Sequence, residues 1–243
     1  MRYINSRMFD VVTTTWNPIT GCKHNCVYCW ARRLVNSRLK GTKKYRRGFE
    51  PTIHEREFKR EFKPNEFVFV SDMGDMWGSW VPEEWIVRVL EHVARFPKTT
   101  FLFLTKNPQR YGEFRDLLSG LDNVILGATI ETDLQTEYMS WRISEAPAPD
   151  ARFAGMYYMH YCGFRNLMIS VEPVLEFSDY FPKRIKNVEP RFVYVGYDNY
   201  MCRLPEPPLS KTLWLIDELK RFTVVRTKTV RHAWYEVCRR RKR

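Results

Sequence analysis

Six short apolar runs, each leading toward a stretch with helical spacing, limit what this 243-residue chain can become. They lie at residues 9–15, 66–71, 99–104, 123–130, 167–171 and 191–195. Runs this continuously apolar are buried on both faces, as in a parallel sheet covered by helices. Over 27–39, Ala31, Leu34, Val35 and Leu39 recur at helical spacing, with Gly41 as a stop. Pro82 opens a second helix, with Trp85, Ile86, Val89, Leu90 and Val93 on one face. Further helices are expected over 108–118, less regularly over 133–162, and over 210–220 with Ser210 as cap. Residues 222–226 are a candidate short last strand. The pattern is α/β and predicts a partial (β/α)6 TIM-like barrel of parallel strands with outer helices. One domain over 1–229 is expected, followed by a basic C-terminal tail over 230–243, with no repeat or low-complexity linker between.

In such folds ligands gather at the C-terminal ends of the strands. Polar residues fall there repeatedly: Ser71-Asp72-Met73-Gly74-Asp75, Thr105-Lys106-Asn107, Glu131-Thr132-Asp133, Glu172-Pro173 and Gly196-Tyr197-Asp198-Asn199. Each alone also reads as a helix cap. Five on one rim describe a polar, multidentate pocket.

The loop after the first run reads Cys22-Lys23-His24-Asn25-Cys26-Val27-Tyr28-Cys29, a C-x3-C-x2-C spacing. Three thiolates can hold three irons of a [4Fe–4S] cluster and leave the fourth iron open to a ligand. Zinc is the competing reading, since three Cys with His24 make a possible ligand set, but no second Cys/His knuckle stands nearby. Inert cysteines are the third. A disulfide framework does not fit six cysteines in 243 residues, three of them within eight positions, with no segment resembling a signal peptide.

The cysteine spacing, with Tyr28 before the third cysteine, resembles the signature of the radical SAM superfamily. The likeness extends over about 10–226. Within the superfamily, 15–22 (TWNPITGC), 45–49 (YRRGF), 103–108 (FLTKNP) and 170–173 (SVEP) resemble an uncharacterised phage- and archaea-associated family. Residues 130–132 (IET) and 145–149 (EAPAP), followed by Arg152, are similar to the spore photoproduct lyase-like group. The resemblance implies a [4Fe–4S] cluster on Cys22, Cys26 and Cys29. Its open iron would chelate S-adenosylmethionine, and reductive cleavage would give a 5′-deoxyadenosyl radical. It further implies Tyr28 near the adenine, Asp72 or Asp75 accepting from the methionyl amino group, and Glu131 or Thr132 on the ribose. The segment 71–75 departs from the Gly-Gly-Glu-like motif many members carry. Arg152 matches either the cofactor carboxylate or a structural ion pair with Glu131 or Glu145. Glu172 is either a cofactor contact or a substrate-site acid. Cys202, in a loop after the sixth strand, is a candidate for returning a hydrogen atom to a product radical. An external electron donor of flavodoxin or ferredoxin type is the implied partner.

Net charge is +12, and part of the excess is local. Arg32, Arg33, Arg38, Lys40, Lys43, Lys44, Arg46 and Arg47 fall within 32–47 with no acidic residue between them, and the chain ends in a basic run over 239–243. Such a stripe beside a catalytic loop attracts phosphates, so a nucleic-acid or nucleoside substrate is expected. The alternatives are a peptide or small-metabolite substrate, with the charge serving solubility, or a non-enzymatic metal-stabilised nucleic-acid-binding protein. Cys162 and Cys238 are isolated and read as small hydrophobes. The five histidines form no second metal site. The Trp77-Gly78-Ser79-Trp80 loop and Tyr157, Tyr158 and Tyr161 could stack on bases, with core packing the commoner use of such residues. No run approaches the ~20 apolar residues of a membrane span, and a cytoplasmic setting is expected.

Overall fold

The computed structural model describes the backbone of residues 9–240. The Cys238 side chain, Arg239 and Arg240 side chains and the last three basic residues lie outside what is described. The elements run β1 (Thr14–Trp16), β2 (Ile19–Thr20), α1 (Trp30–Asn36), β3 (Thr52–Ile53), β4 (Phe67–Val70), α2 (Glu83–Ala94), β5 (Thr100–Thr105), α3 (Arg115–Ser119), β6 (Val124–Thr129), α4 (Gln135–Trp141), α5 (Pro149–Tyr161), β7 (Leu167–Val171), α6 (Phe181–Lys186), β8 (Phe192–Val195), α7 (Leu209–Lys220), β9 (Val224–Thr227) and α8 (Trp234–Arg240). Seven strands form one sheet in the order β1-β4-β5-β6-β7-β8-β9, every neighbouring pair parallel. Strand order follows chain order, so each crossover carries the chain one place around, as in a barrel. β2 and β3 make a separate two-stranded antiparallel ribbon that the sequence did not announce.

Alternate strand residues divide the core. Val68, Phe101, Phe103, Leu126, Leu167, Ile169, Val193 and Val195 face the helices in the large outer cluster. Phe69, Leu102, Ile125, Met168 and Tyr194 fill the inside. This is the period-two pleat with both faces apolar. The run at 9–15 is a strand only from Thr14. Ahead of it, the Phe9 ring inserts 4.2 Å from Tyr194 and 5.5 Å from Phe69, while Asp10 pairs with Arg226 of β9 at 2.5 Å. Residues 9–12 thus cross the gap between the first and last strands and fill the interior of the open barrel.

The expected helices shift where local chemistry competes. Helix α1 starts at Trp30 because Cys29 caps it, its Sγ accepting the Arg32 N–H. Residues 108–114 wind as a 3-10 helix before α3, with Arg110 drawn onto the carbonyls of Gly78 and Val81. The stretch 133–162 divides into α4 and α5 at Arg142, whose φ of 51° is left-handed, and at Pro149. Helix α7 begins at Leu209 after Pro208, and Ser210 lies inside it rather than capping it. Residues 230–237 pack on the barrel: Ala233 is buried, and Arg231 forms a bidentate pair with buried Glu206. Among the described residues no helix is long and apolar enough to cross a membrane.

Candidate active site at the cysteine loop

The cysteine loop is pressed into the rim by two glycines. Gly21 has φ +88°, and a Cβ there would meet the Glu50 backbone at 2.4 Å. It bridges to Gly74 in the loop after β4, where a Cβ would fall 2.6 Å from the Gly21 carbonyl. Only glycine allows this approach. The loop is also tied to the segment between α4 and α5: the His24 carbonyl accepts from Ser144 Oγ (3.0 Å) and the Glu145 N–H (2.7 Å), and Asn25 donates to Glu145 (2.7 Å).

Cys22, Cys26 and Cys29 are free thiols that line one cavity of about 590 Å3 at the C-terminal ends of the strands. Cys22 Sγ accepts the His24 N–H and Cys29 Sγ the Arg32 N–H, both at 3.4 Å, and Cys26 Sγ lies 3.1 Å from Ser144 Oγ. Burial pushes the Cys22 and Cys29 thiols up, so making them thiolates needs a bound cation. Among the described residues no three His, Cys, Asp or Glu side chains converge on a single-ion point. His24 is turned to Asp75 (Nε2 to Oδ2 3.0 Å), so the Cys3His zinc set is not assembled. Three thiols around one cavity, with backbone N–H groups at two sulfurs, fit a larger cluster, which spreads its thiolates farther apart than one ion does.

The remaining expected site residues separate into those on the cavity and those behind it. Asp72, Asp75, Glu172 and Tyr28 line it. Asp75 is buried and accepts from His24, from Thr105 Oγ1 (2.8 and 2.9 Å) and from the N–H groups of Trp77 and Lys106 (3.0 Å each). Burial opposes its charge, yet these donors hold it below the usual carboxylate range. It locks the cysteine loop to β5 and has little capacity left. Asp72 accepts from Asn17 (2.6 Å), and burial raises its carboxyl. Of the two aspartates it is the more available to a bound amino group. Glu172 meets Lys228 at 3.2 Å and Ser170 at 3.3 Å, and burial outweighs both to raise its carboxyl.

Glu131, Thr132 and Arg152 are fully buried and do not line the cavity. Glu131 accepts from Tyr28 Oη, Lys106 Nζ and Arg152 Nη1. Burial works against its ionisation, but Arg152 and Lys106 bring its pKa down to about 2. The Arg152 guanidinium also holds the carbonyls of Thr129 and Pro147 and the Tyr138 hydroxyl. Of its two expected roles the structure shows the ion pair, with Glu131. Thr132 Oγ1 donates to the Glu176 carbonyl at 2.6 Å. The ribose-binding expectation for Glu131 and Thr132 meets a closed wall: Tyr28 and Lys106 stand between Glu131 and the open space. Cys202 is likewise outside the lining, its Sγ accepting from Arg33 at 3.1 Å, with burial and Asp198 pushing the thiol up to about 11.

Sequence reasoning placed Lys106 only among the polar strand ends, gave Lys228 no role, and read His24 as a possible zinc ligand rather than as the loop anchor. Lys106 Nζ bonds Glu131 at 2.8 Å and lies 5.3 Å from the Tyr28 ring centroid. Burial works to lower its pKa, but Glu131 outweighs that and keeps the ammonium charged. A signal existed, since Lys106 directly follows a strand at the ligand-binding rim. The Trp77–Trp80 loop is packing: Trp77 is fully buried, and the Trp80 ring lies across Gly78. Tyr157, Tyr158 and Tyr161 sit on α5 and do not line the cavity.

The fold is similar to that of spore photoproduct lyase complexed with dinucleoside spore photoproduct, at TM-score 0.57 and 12% identity over 91% of this chain and 64% of that one. A double mutant of the same enzyme with bound AdoMet and dinucleoside spore photoproduct matches at TM-score 0.54 and 11% identity, over 86% and 61%. SuiB of Streptococcus suis bound to S-adenosylmethionine matches at TM-score 0.53 and 10% identity, over 88% and 50%. The chain therefore spans less than two thirds of each. At these identities the likeness shows the fold, a partial barrel of parallel strands with surrounding helices. No curated protein matches the chain in sequence. Residues 8–157 match the model of a family described as a protein of unknown function, DUF5131, and the chain belongs to that family.

Proposed function

We propose that this protein is a radical SAM enzyme acting on a nucleic-acid or nucleoside substrate. The observation that carries the reading is the convergence of three free thiols in C-x3-C-x2-C spacing on one cavity at the strand C-termini. Two of the similar structures hold S-adenosylmethionine on a barrel of this kind, and two hold a dinucleoside. Cys22, Cys26 and Cys29 would hold the [4Fe–4S] cluster. Such a cluster would supply the single electron for reductive cleavage of S-adenosylmethionine.

The chain's own residues prepare that site. Lys106, held charged by Glu131, presents a cation suited to a carboxylate, while Asp72 presents an acceptor for an ammonium. Tyr28 gives an aromatic wall. Glu172, with its raised carboxyl beside Lys228, is an acid on the same cavity. The cavity's buried apolar wall, including Phe9, Phe69 and Leu104, limits water around a reactive radical. The nucleic-acid substrate class rests on exposed Arg38, Lys40, Lys43, Arg46 and Arg47, which make no ion pair among the described residues. A cytoplasmic setting, a flavodoxin- or ferredoxin-type donor and kinship to the phage- and archaea-associated radical SAM proteins belong to the same proposal.

Anaerobic reconstitution followed by EPR of the dithionite-reduced protein tests it. A [4Fe–4S]+ signal that shifts on adding S-adenosylmethionine, and that is lost on Cys26→Ala, is the expected result. Stoichiometric zinc, or a cluster signal indifferent to S-adenosylmethionine, would overturn the enzyme reading.

A further inference from the structure

Trp30 follows the third cysteine directly and has no structural duty. It is 39% exposed, belongs to none of the hydrophobic clusters among the described residues, and lines the cavity. Leu34 and Arg38 line the same cavity, one and two turns farther along. Spacings of four place such residues on one face. Helix α1 and the turn that ends it therefore present an aromatic ring, an aliphatic side chain and an exposed guanidinium in a row, leading outward from the cysteine loop. Arg38 makes no hydrogen bond or ion pair with the described residues, and the row continues into exposed Lys40, Lys43, Arg46 and Arg47. Tyr200 also lines the cavity, with the guanidinium of Arg33, from the same helix as Trp30, 5.0 Å from its ring centroid.

We infer that this row is a binding track for a single-stranded polynucleotide, with a base stacked at Trp30 and the backbone phosphates following Arg38 to Arg47. The inference rests on the nucleic-acid reading above and deepens it. A ring at the cavity edge offers a π-face that any unpaired base can use, and the cations beyond it meet phosphates. In a duplex the bases are stacked and paired, and none could reach a cavity lined by the three thiols without leaving the helix. Neither an inorganic polyanion nor an acidic peptide would need the ring. The Arg33–Tyr200 pair would offer a second ring at the cavity for the nucleotide that enters.

Fluorescence anisotropy with a labelled short oligonucleotide, as single-stranded DNA, single-stranded RNA and duplex, over a salt series, tests the inference. Inorganic polyphosphate is the competitor that carries charge without bases. Single strands should bind more tightly than the duplex. Trp30→Ala should weaken single-strand binding about tenfold, the scale of one base stack, leave polyphosphate competition unmoved, and be rescued by Trp30→Phe. Arg38→Glu should weaken oligonucleotide and polyphosphate alike and flatten the salt slope by about 0.7 or more. Lys186→Glu makes the same charge change on α6, at the opposite end of the strands, and should alter neither. Single-strand binding indifferent to Trp30→Ala, or a preference for duplex, would overturn the track. The S-adenosylmethionine-dependent EPR shift, measured on the same preparations, separates the two readings. If the shift is present and no oligonucleotide binds, the track fails while the cofactor reading stands. If the shift is absent and binding depends on Trp30, the track stands and the enzyme reading fails.

Discussion

The wall behind the cavity and the lip in front of it are both rich in charge, and they use it oppositely. In the wall, Glu131 and Arg152 are fully buried, Lys106 and Tyr28 are half-buried, and Glu131 accepts hydrogen bonds from the other three. At the lip, Arg38, Lys40, Lys43, Arg46 and Arg47 are exposed and unpaired among the described residues. A buried charge is tolerated only when paired, so the Glu131–Arg152 pair is committed to the fold, while half-buried Lys106 keeps one side on the cavity. Exposed charges cost the fold little and remain available to a ligand. Motif resemblance had placed Glu131 or Thr132 with the lip's kind of availability and left Arg152 open between the cofactor and an ion pair; the structure has all three in the wall.

The largest effect should come from breaking the wall. Glu131→Gln leaves Arg152 and Lys106 without their counter-charge, and removing one partner of a buried pair costs about 3–5 kcal/mol. Chemical denaturation of the variant should show that loss, and Glu131→Gln combined with Arg152→Met should recover part of it. Full stability in the single variant would show the network to be dispensable. Acid reaches the same pair without mutation. Glu131 titrates at about 2 in the fold against 4.5 unfolded, so its stabilisation is complete above about 4.5. It is then lost as pH falls from there toward 2. The Glu131→Gln variant should lack this component of the acid transition, and identical acid profiles would remove Glu131 as its source.

A smaller effect is expected where the wall meets the cysteine loop. Gly74→Ala puts a methyl group 2.6 Å from the Gly21 carbonyl, and relief requires backbone movement. Overpacking of this kind costs about 1–3 kcal/mol. Because the shift is passed to Cys22 through Gly21, reconstituted iron per chain should fall as well. A destabilised variant with undiminished iron would mean that the loop adapts independently of the rim.

What the sequence revealed divides along similar lines. The strands were legible because burial on both faces makes each a short apolar run, and the cysteine loop because its spacing is local. The ends of the irregular stretches were not: Arg142 takes a left-handed conformation that no residue pattern announces, and Cys29 caps α1 with a sulfur. The wall was illegible for a different reason. Lys106 and Glu131 are 25 residues apart and Tyr28 lies 103 from Glu131, so their pairing exists only once β5, β6 and the cysteine loop meet. A polar residue after a strand looks the same whether it faces the cavity, as Asp72 does, or is sealed behind it, as Thr132 is. Trp30 fell inside the stretch 27–39 expected to be helical, and its exposure could be seen only with the rim assembled.

The smallest effect on stability should come from the lip, and its smallness is informative. Reversing charge at Arg38, Lys43 and Arg46 together removes no hydrogen bond or ion pair with the described residues. Each surface change of this kind falls within about 0.5 kcal/mol, and fewer like charges over 32–47 lower the local self-repulsion. The triple variant should therefore melt at or slightly above the wild-type temperature in low salt, with the difference fading as salt screens it. Glu131→Gln should lose stability at every salt concentration, because its pair is shielded from solvent ions. A triple variant that melted much lower would show that the basic residues hold the fold. The division between a wall that folds the protein and a lip that meets its ligand would then fail at its simpler end.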